Sequence, residues 1–338
     1  MILLSCSISS LTPIVTGDDK YRNTELLATG ILGSLRYQYW LLKAMQAWQD
    51  NPQHPAYPPC SADLPVKGHG NSFENALHDA ESVVWLFGAT NWKKMFRLEI
   101  AEAKESEQQS CSSRSDSKAP WKWTFKLIFR QDRKSPIFDE LAEKEGFCLE
   151  QELRSLMAFV HQYGWLGAAP QNGLGWVKVD GEGIERVTLR EDNPVFAAKD
   201  IELNKQQVDG LRDKLVRYYE GKGISRRYDQ SVRFLKQHHL PPVGYEIRRW
   251  LRDQMFPPER YKNEQAEYFG DQKHAGFVHV THPVVQEDGD GGWRVRIRFA
   301  VRSDTVNGTT RLHPEQVSLA PQRWLDCCEQ LLKLEKSS

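Results

Sequence analysis

A strict alternation of apolar and polar residues marks the clearest strand in the chain. In residues 121–130, WKWTFKLIFR, aromatic and aliphatic side chains hold the odd positions, whereas Lys122, Lys126 and Arg130 hold even ones. A period of two is typical of a strand with one buried and one wet face. The sequence therefore predicts an antiparallel sheet that is covered on one side only.

The other segments of the first half are predicted from the same kind of pattern. Apolar residues recur at helical spacing in some of them and at strand spacing in others. Two segments are interrupted by Pro, Gly, Ser or charge: 50–72, which indicates an insertion or functional loop, and 104–120, which is polar and predicted to be mobile. The predicted elements are a strand at 7–16, helices at 31–48 and 73–87, strands at 95–102 and 121–130, a helix at 148–163, and a strand after a glycine-rich loop at 164–175.

Together these elements predict a ferredoxin-like (RRM-like) βαββαβ module over residues 1–182, if the helix 73–87 belongs to the insertion. Residues 183–338 are predicted to form a second α+β module of the same kind, more decorated with helices. Its helix opens on Gly244, with Arg248 and Arg249 in the first turns, as Gly33 and Arg36 open the helix in the first half. This echo indicates a diverged internal duplication. The predicted elements are helices at 204–220, 227–238 and 244–255, strands at 275–284 and 292–302, and a helix at 321–334.

Composition excludes several classes of function. Lysine plus arginine and aspartate plus glutamate both number 45, so nucleic-acid binding has to come from local basic patches. The six cysteines show no framework or metal spacing, which indicates free thiols in a reducing cytoplasm. The chain carries no P-loop, HExxH or G-x-S-x-G motif and no apolar run near the ~20 residues of a membrane span. We therefore expect no cofactor, no metal, no small-molecule substrate and no membrane.

The glycine-rich loop 164–175 is the first candidate for chemistry. Gly164, Gly167, Gly173 and Gly175 crowd the entrance to a strand, where glycine permits positive φ and close approach of another backbone. Backbone amides in such a loop can cradle phosphates. A tight helix-to-strand connection is the alternative explanation.

The second candidate is the basic segment 212–252, in which aromatic residues are interleaved among the cations. Backbone charge and base stacking share the affinity in single-stranded nucleic-acid binding, so this pattern suits an RNA partner. A solvated helical surface explains the pattern equally well.

The order of these motifs resembles a known family. The segments LTPIVTGD, GILGSLRYQYW, LFG and GAAPQNGLGWVKV, followed by VGYEIRRWLR and FGDQKHAGFVHVTHPVV, look like a CRISPR-associated RAMP protein. More narrowly, they resemble the first-numbered subunits of type III-B (Cmr) effector complexes. The resemblance implies a non-catalytic subunit in antiviral defence that caps the 3′ end of the crRNA. Its implied partners are crRNA, target RNA and other RAMP subunits of the Cmr complex.

The resemblance and the local patterns together select the candidate RNA-binding residues. The loop lacks the arginines common in the family, so contacts there are expected from backbone amides and from Gln171 or Asn172. We expect Arg36 to face a phosphate, or a carboxylate such as Asp18 or Asp19, in front of its helix. The predicted set is Arg36, Gly33, Ser34, Gly164, Gly167, Gln171, Asn172, Gly173, Gly175, Arg248, Arg249, Lys273 and His274.

Two alternatives to this function stay open at this stage. A metal-independent endoribonuclease that processes CRISPR RNA needs a general base and acid, for which His161 and His274 are the candidates. A purely architectural subunit would contact RNA only incidentally.

The strand 293–302, WRVRIRFAVR, places Arg294, Arg296, Arg298 and Arg302 on one face. Neighbouring like charges repel one another, so this face is expected to be paired. The partners would be acidic side chains of a helix in the same chain, with 287–290 as the nearest acidic run, or RNA, or another subunit.

Overall fold

The fold is described from a computed structural model. It covers residues 1–12, 14–16, 26–50, 82–88, 93–108, 121–131, 136–167, 174–188, 196–221, 244–255, 278–281, 283–285, 292–300, 305–306, 309–310 and 321–333.

The first half forms a four-stranded antiparallel sheet in the strand order β2-β3-β1-β4. Helices connect β1 to β2 and β3 to β4, so the chain order without the additional short helices is βαββαβ. The elements are β1 (Ile2–Ser10), α1 (Ala28–Asp50), α2 (Ser82–Phe87), β2 (Phe96–Gln108), β3 (Trp121–Gln131), α3 (Pro136–Glu145), α4 (Leu149–Gln162) and β4 (Val177–Asp180).

The second half forms another antiparallel sheet, in the order β5-β8-β6, with the short strand β7 also paired to β8. A separate pair of two-residue strands follows in the chain. The elements are β5 (Phe196–Leu203), α5 (Lys205–Gly221), α6 (Gly244–Met255), β6 (Val278–Val280), β7 (Val284–Val285), β8 (Trp293–Ala300), β9 (Thr305–Val306), β10 (Thr309–Thr310) and α7 (Pro321–Lys333). The protein is therefore a mixed α+β structure with two antiparallel sheets.

Alternation in the strands decides which face of the first sheet is buried. Leu4, Cys6 and Ile8 of β1 point into the core, whereas the serines between them are exposed. In β3 the predicted alternation is confirmed, with Trp123, Phe125, Leu127 and Phe129 buried. Helices α1 and α4 supply the other side of this core.

Several predicted boundaries are wrong, and the differences have physical reasons. The first strand is Ile2–Ser10 and not 7–16, because its pairing with β3 already begins at Ile2. Ile14 and Val15 are buried outside any strand. Strand β2 continues to Gln108 into the segment predicted to be mobile, because its last residues pair with β3. Helix α3 and strand β5 were not predicted. The predicted helix 227–238 and most of 50–81 lie outside the described residues.

The start of α1 lies directly against the segment that follows β1. The Leu27 amide donates to Thr16 Oγ1 at 2.8 Å, which satisfies one of the free N–H groups of the helix end. A Cβ on Gly30 would lie 2.8 Å from the Thr16 carbonyl oxygen, closer than real side chains approach. Gly33, one turn later, is exposed and has open space around the same position.

These two glycines give a matched pair of substitutions within α1. We expect Gly33→Ala to stabilise the protein by up to about 1 kcal/mol, because alanine favours a helix interior over glycine. Gly30→Ala should destabilise it, because its methyl group meets backbone that cannot move aside. Urea unfolding followed by circular dichroism measures both changes. Equal effects of the two substitutions would show that the contact with Thr16 does not constrain the helix.

Candidate functional site

The base of the glycine-rich loop is built by close backbone contacts. Gly167 has φ +83°, and a Cβ there would meet the Val15 carbonyl and lie 3.0 Å from Ile14 Cγ2. The Gly167 amide donates to Ser34 Oγ at 3.0 Å, and Ser34 Oγ donates to the Ile31 carbonyl at 2.8 Å. The structure therefore brings together two predicted site residues, Ser34 and Gly167, and gives both a packing role.

The exit from the loop is closed in the same way. Gly175 has φ +82°, and a Cβ there would overlap the Leu166 carbonyl oxygen. The Leu166 amide donates to the Gly175 carbonyl at 2.9 Å, which joins the two ends of the loop. Gly164 lies against α4, where a Cβ would be 2.6 Å from Val160 Cα. The predicted contacts Gln171, Asn172 and Gly173 lie outside the described residues.

Arg36 does not lie at the beginning of its helix. Since α1 begins at Ala28, Arg36 is two turns inside the helix and not in its first turn. Its Nη1 donates to the Gly88 carbonyl at the end of α2, at 3.0 Å. Its Nη2 is buried without a hydrogen-bond partner in the described part of the chain. Asp18 and Asp19 fall outside the described residues.

The second half repeats this arrangement around Gly244 and Arg248. A Cβ on Gly244 would overlap the Val280 carbonyl oxygen, so α6 begins against the end of β6. Arg248 Nε donates to the Val278 carbonyl at 2.8 Å. Arg249 lies over the ring of Tyr219, with 6.0 Å between the guanidinium carbon and the ring centroid. These arginines stabilise the fold, as Arg36 does.

Gly30, and not Gly33, makes a close backbone contact like that of Gly244, because Gly33 has open space around the Cβ position. The remaining predicted site residues, Lys273 and His274, lie outside the described residues.

Two tryptophans beside the loop contact the arginine-bearing face of β8. The guanidinium carbon of Arg298 lies 5.0 Å from the ring centroid of Trp165, and that of Arg296 lies 4.7 Å from the ring centroid of Trp176. Such stacking is a cation–π contact. His279 of β6 packs edge-on against Trp165 at 4.9 Å. The base of the glycine-rich loop thus covers the face of the second sheet that carries Arg296, Arg298 and His279. We call this face, and the serine-bearing face of the first sheet, the outward faces.

The arginines of β8 are paired unequally. Arg296 makes a two-pronged ion pair with Asp200 at 2.5 and 2.8 Å, and Arg294 lies 3.5 Å from Glu202. Arg298 is only 1% exposed and has no carboxylate within salt-bridge distance among the described residues. Burial, and then the neighbouring Arg296, lower the pKa of its guanidinium.

The pairing expected for β8 is observed for Arg294 and Arg296, but their acidic partners lie on the neighbouring strand β5, directly opposite them, and not on a helix. The predicted acidic run 287–290 and Arg302 lie outside the described residues. Trp165, Trp176 and Asp200 were missed by the sequence analysis. Two features of the sequence could have indicated them. Each tryptophan directly follows a loop glycine, and Asp200 and Glu202 are two residues apart, as on one face of a strand.

His161, the histidine considered for catalysis, has a structural contact. The Val179 amide of the edge strand β4 donates to His161 Nδ1 at 3.0 Å, which requires that nitrogen to be unprotonated. Burial lowers the pKa of His161, and the nearby cations Arg296, Lys178 and Arg186 lower it further. The imidazole is therefore kept neutral and accepts a hydrogen bond from the edge strand β4.

A buried acidic residue lies between α5 and α6. The Tyr219 hydroxyl donates to Glu246 Oε2, and both side chains are buried. Burial raises the pKa of Glu246 to about 7, and the nearby Arg249 acts in the opposite direction. The carboxyl group is thus largely protonated in mildly acidic solution.

The described residues contain neither a metal-binding cluster nor a membrane-spanning helix. No cluster of His, Cys, Asp and Glu there is arranged to hold a metal ion. None of the helices in that part of the chain combines the length and hydropathy required to cross a bilayer.

Comparison with known proteins gives one match. The family model for the RAMP superfamily matches residues 7–178, about half of the 338-residue chain. The match begins in β1 and ends in β4, so it contains the whole glycine-rich loop and the sheet that supports it. No curated protein matches the chain.

The ion pairs of β8 predict different costs for two similar substitutions on β5. Asp200→Asn should destabilise the protein by about 1–3 kcal/mol, because it leaves the largely buried Arg296 without its carboxylate. Glu202→Gln, two residues along the same strand, should cost less than about 1 kcal/mol, because the pair with Arg294 is exposed. Urea unfolding of both variants makes the comparison. Similar costs would show that the burial of Arg296 does not depend on Asp200.

Glu246 predicts a dependence of stability on pH. Its folded pKa, about 7, lies above the ordinary value of 4.5, so its stabilising contribution is complete below pH 4.5 and is lost as the pH rises through 7. The substitution Glu246→Gln should remove this loss of stability, because glutamine does not ionise. Relative to the wild type, the variant should gain up to about 3 kcal/mol between pH 5 and pH 8.

Unfolding free energies at pH 5, 6.5 and 8 measure this gain. The exposed Glu202→Gln is the control, since its side chain stays in water. A constant difference between the wild type and Glu246→Gln across this range would contradict the raised pKa.

Proposed function

Because this chain belongs to the RAMP superfamily, we propose that it is a non-catalytic RNA-binding subunit of a CRISPR ribonucleoprotein effector complex. The family membership supports a CRISPR-associated role in RNA binding with other RAMP proteins as partners. The observation that carries the proposal is the extent of the match, which covers β1, α1, the glycine-rich loop and β4 as one unit.

The finer proposal is a subunit of a type III-B (Cmr) complex that caps the 3′ end of the crRNA and contacts guide and target RNA in the cytoplasm. Its support is the order of the sequence motifs in both halves. We further propose that the halves 1–182 and 183–338 are two ferredoxin-like modules. The strand order β6-β8-β5 repeats β2-β3-β1 of the first sheet, and a helix follows the central strand in both halves.

The non-catalytic role is supported by the position of His161. An RNA-cleaving base has to accept a proton from a 2′-hydroxyl, but His161 Nδ1 already accepts the Val179 amide. Only Nε2 is left for chemistry, on a half-buried ring whose pKa is lowered. The metal-independent ribonuclease and the purely architectural subunit are the alternatives that the experiments below distinguish.

The residues to vary are predicted RNA contacts other than Arg36 and Arg248. Arg36 and Arg248 bind backbone carbonyls, so their loss would combine unfolding with any loss of RNA contacts. We therefore choose two double variants, Gln171→Ala with Asn172→Ala, and Lys273→Ala with His274→Ala. The control is Lys205→Ala, because Lys205 is exposed at the start of α5, far in sequence from both pairs.

The wild type should bind labelled single-stranded RNA weakly and with a strong dependence on salt, since the chain has no net charge and only local basic patches. Each double variant should weaken binding severalfold, and Lys205→Ala should not. Fluorescence anisotropy at two salt concentrations gives affinity and salt slope. Undetectable binding by the wild type at low salt would refute the RNA-binding role.

Two further experiments address the partners and the chemistry. Affinity purification from cells that carry the neighbouring CRISPR components should recover crRNA together with other RAMP chains. Recovery of those chains without RNA would favour the architectural subunit. Incubation of the protein with CRISPR repeat RNA in EDTA should leave the RNA intact; cleavage that His161→Ala or His274→Ala abolishes would favour the ribonuclease.

A further inference from the structure

The two sheets differ in whether their outward face is free. The outward face of the second sheet is occupied, because Arg296 and Arg298 stack on tryptophans of the first half. Phe196 at the start of β5 packs on Phe159 at 5.5 Å in the same contact. Among the residues that the structure describes, no segment covers the opposite, solvent-facing side of the first sheet, where Ser5, Ser7 and Ser9 of β1 are all exposed. A partner that uses a sheet face therefore meets the first sheet.

One row of residues crosses all four strands of this open face. Strand pairing places Thr124 opposite Lys104 on one side and opposite Ser9 on the other, and Ser9 is in turn opposite Lys178. All four residues are exposed. A register shift after Ala101, where Glu102 has φ +52°, returns Lys104 to the open face. With about 4.8 Å between strands, the row spans roughly 14 Å.

The cations of this row are not neutralised by the fold. Lys104, Lys178 and the adjacent Lys122 make no ion pair or hydrogen bond among the described residues, whereas Lys126 in the next row binds Glu102 at 2.7 Å. Asp180 and Glu102 lie in or beside that next row, and the exposed Glu105, which follows Lys104, is opposite the core residue Trp123 and outside the row. In a protein without net charge, this end of the sheet is a local excess of positive charge.

The row adjoins the glycine-rich loop. Lys178 follows the loop exit at Gly175 by three residues, and its strand neighbour Val177 pairs with Ser10. An extended polyanion that leaves the loop along β4 thus reaches Lys178 first. A row of roughly 14 Å is long enough to contact more than one phosphate of an extended strand.

We propose that this row (Lys104, Thr124, Ser9 and Lys178, with Lys122 beside it) is a second RNA-binding surface that holds the phosphate backbone as it leaves the glycine-rich loop. The inference rests on the proposed RNA-binding function. Lysines supply point charges to phosphates, and hydroxyl groups donate hydrogen bonds to their oxygens. The row has no aromatic side chain on which a base could stack, so it binds RNA without regard to sequence.

The test compares two triple variants with the same net charge. The first is Lys104→Gln, Lys122→Gln and Lys178→Gln. The control is Lys93→Gln, Lys205→Gln and Arg323→Gln, which removes three exposed cations outside this face. The first variant should weaken binding of a labelled single-stranded RNA by about tenfold or more and reduce its salt slope by about 2, since each phosphate contact contributes about 0.7. The control should match the wild type. The loss should be equal for homopolymeric and mixed sequences.

Failure of this inference differs from failure of the proposed function. If the wild type binds RNA and both triple variants bind equally well, the row is not an RNA surface, and the proposed function stands. If the first variant binds RNA normally but no longer recovers other RAMP chains from cells, the face is a protein interface and the inference is overturned. The single substitution Lys178→Glu provides a second measurement if the triple variant is unstable. It should weaken binding more than Lys205→Glu, and equal binding by these two would also overturn the inference.

Discussion

The stacking of two arginines on two tryptophans is the interaction on which the arrangement of this protein depends. It occurs where the outward face of the second sheet meets the loop base of the first half, and it removes two guanidinium groups from water. Among the described residues only Arg296 is paired with a carboxylate there, that of Asp200. Arg298, two residues further along β8, is buried against an indole ring. Burial of a cation is costly, so this contact is stable only because aromatic faces, one carboxylate and the surrounding apolar core act together.

The candidate RNA-binding cations fall into two groups: arginines that contact other parts of the fold, and lysines that lie on a solvent-exposed sheet face. Arg36 and Arg248 bind carbonyl groups at the ends of neighbouring elements, and the arginines of β8 bind the other half of the protein. The cations in the row on the uncovered sheet face, Lys104 and Lys178 with Lys122 beside them, are lysines. Arginine, with its planar and multiply donating head group, suits the buried contacts, whereas lysine keeps its charge in water. This difference accounts for the arginines at the buried contacts and the lysines in the row on the open face.

Much of the fold could be predicted from local patterns, because strands such as β3 show one buried and one wet face in the sequence itself. Helices α6 and α7 were also predicted within one residue of their observed bounds. The errors arose where tertiary contacts decide. β2 extends into a polar segment because β3 lies beside it, and β5 is a strand because its acidic residues oppose the arginines of β8.

The candidate site was predicted less well for the same reason. Glycine spacing located the loop, and Ser34 and Gly167 do meet. No local pattern shows that Arg36 finds a carbonyl 52 residues further along the chain, or that Trp165 faces Arg298. Such pairs depend on the packing of distant segments.

The closed base of the glycine-rich loop also separates two kinds of evolutionary change. Leu166 and Gly175 bind each other, and Gly167 and Trp176 bind Ser34 and Thr12, so the frame is complete without the residues between. Substitutions and changes of length inside the loop therefore have little effect on the core, since the entropy of closing a loop rises only slowly with its length. A change of sequence between Gly167 and Gly175 can thus alter what the loop contacts while the hydrogen bonds that join its two ends are kept.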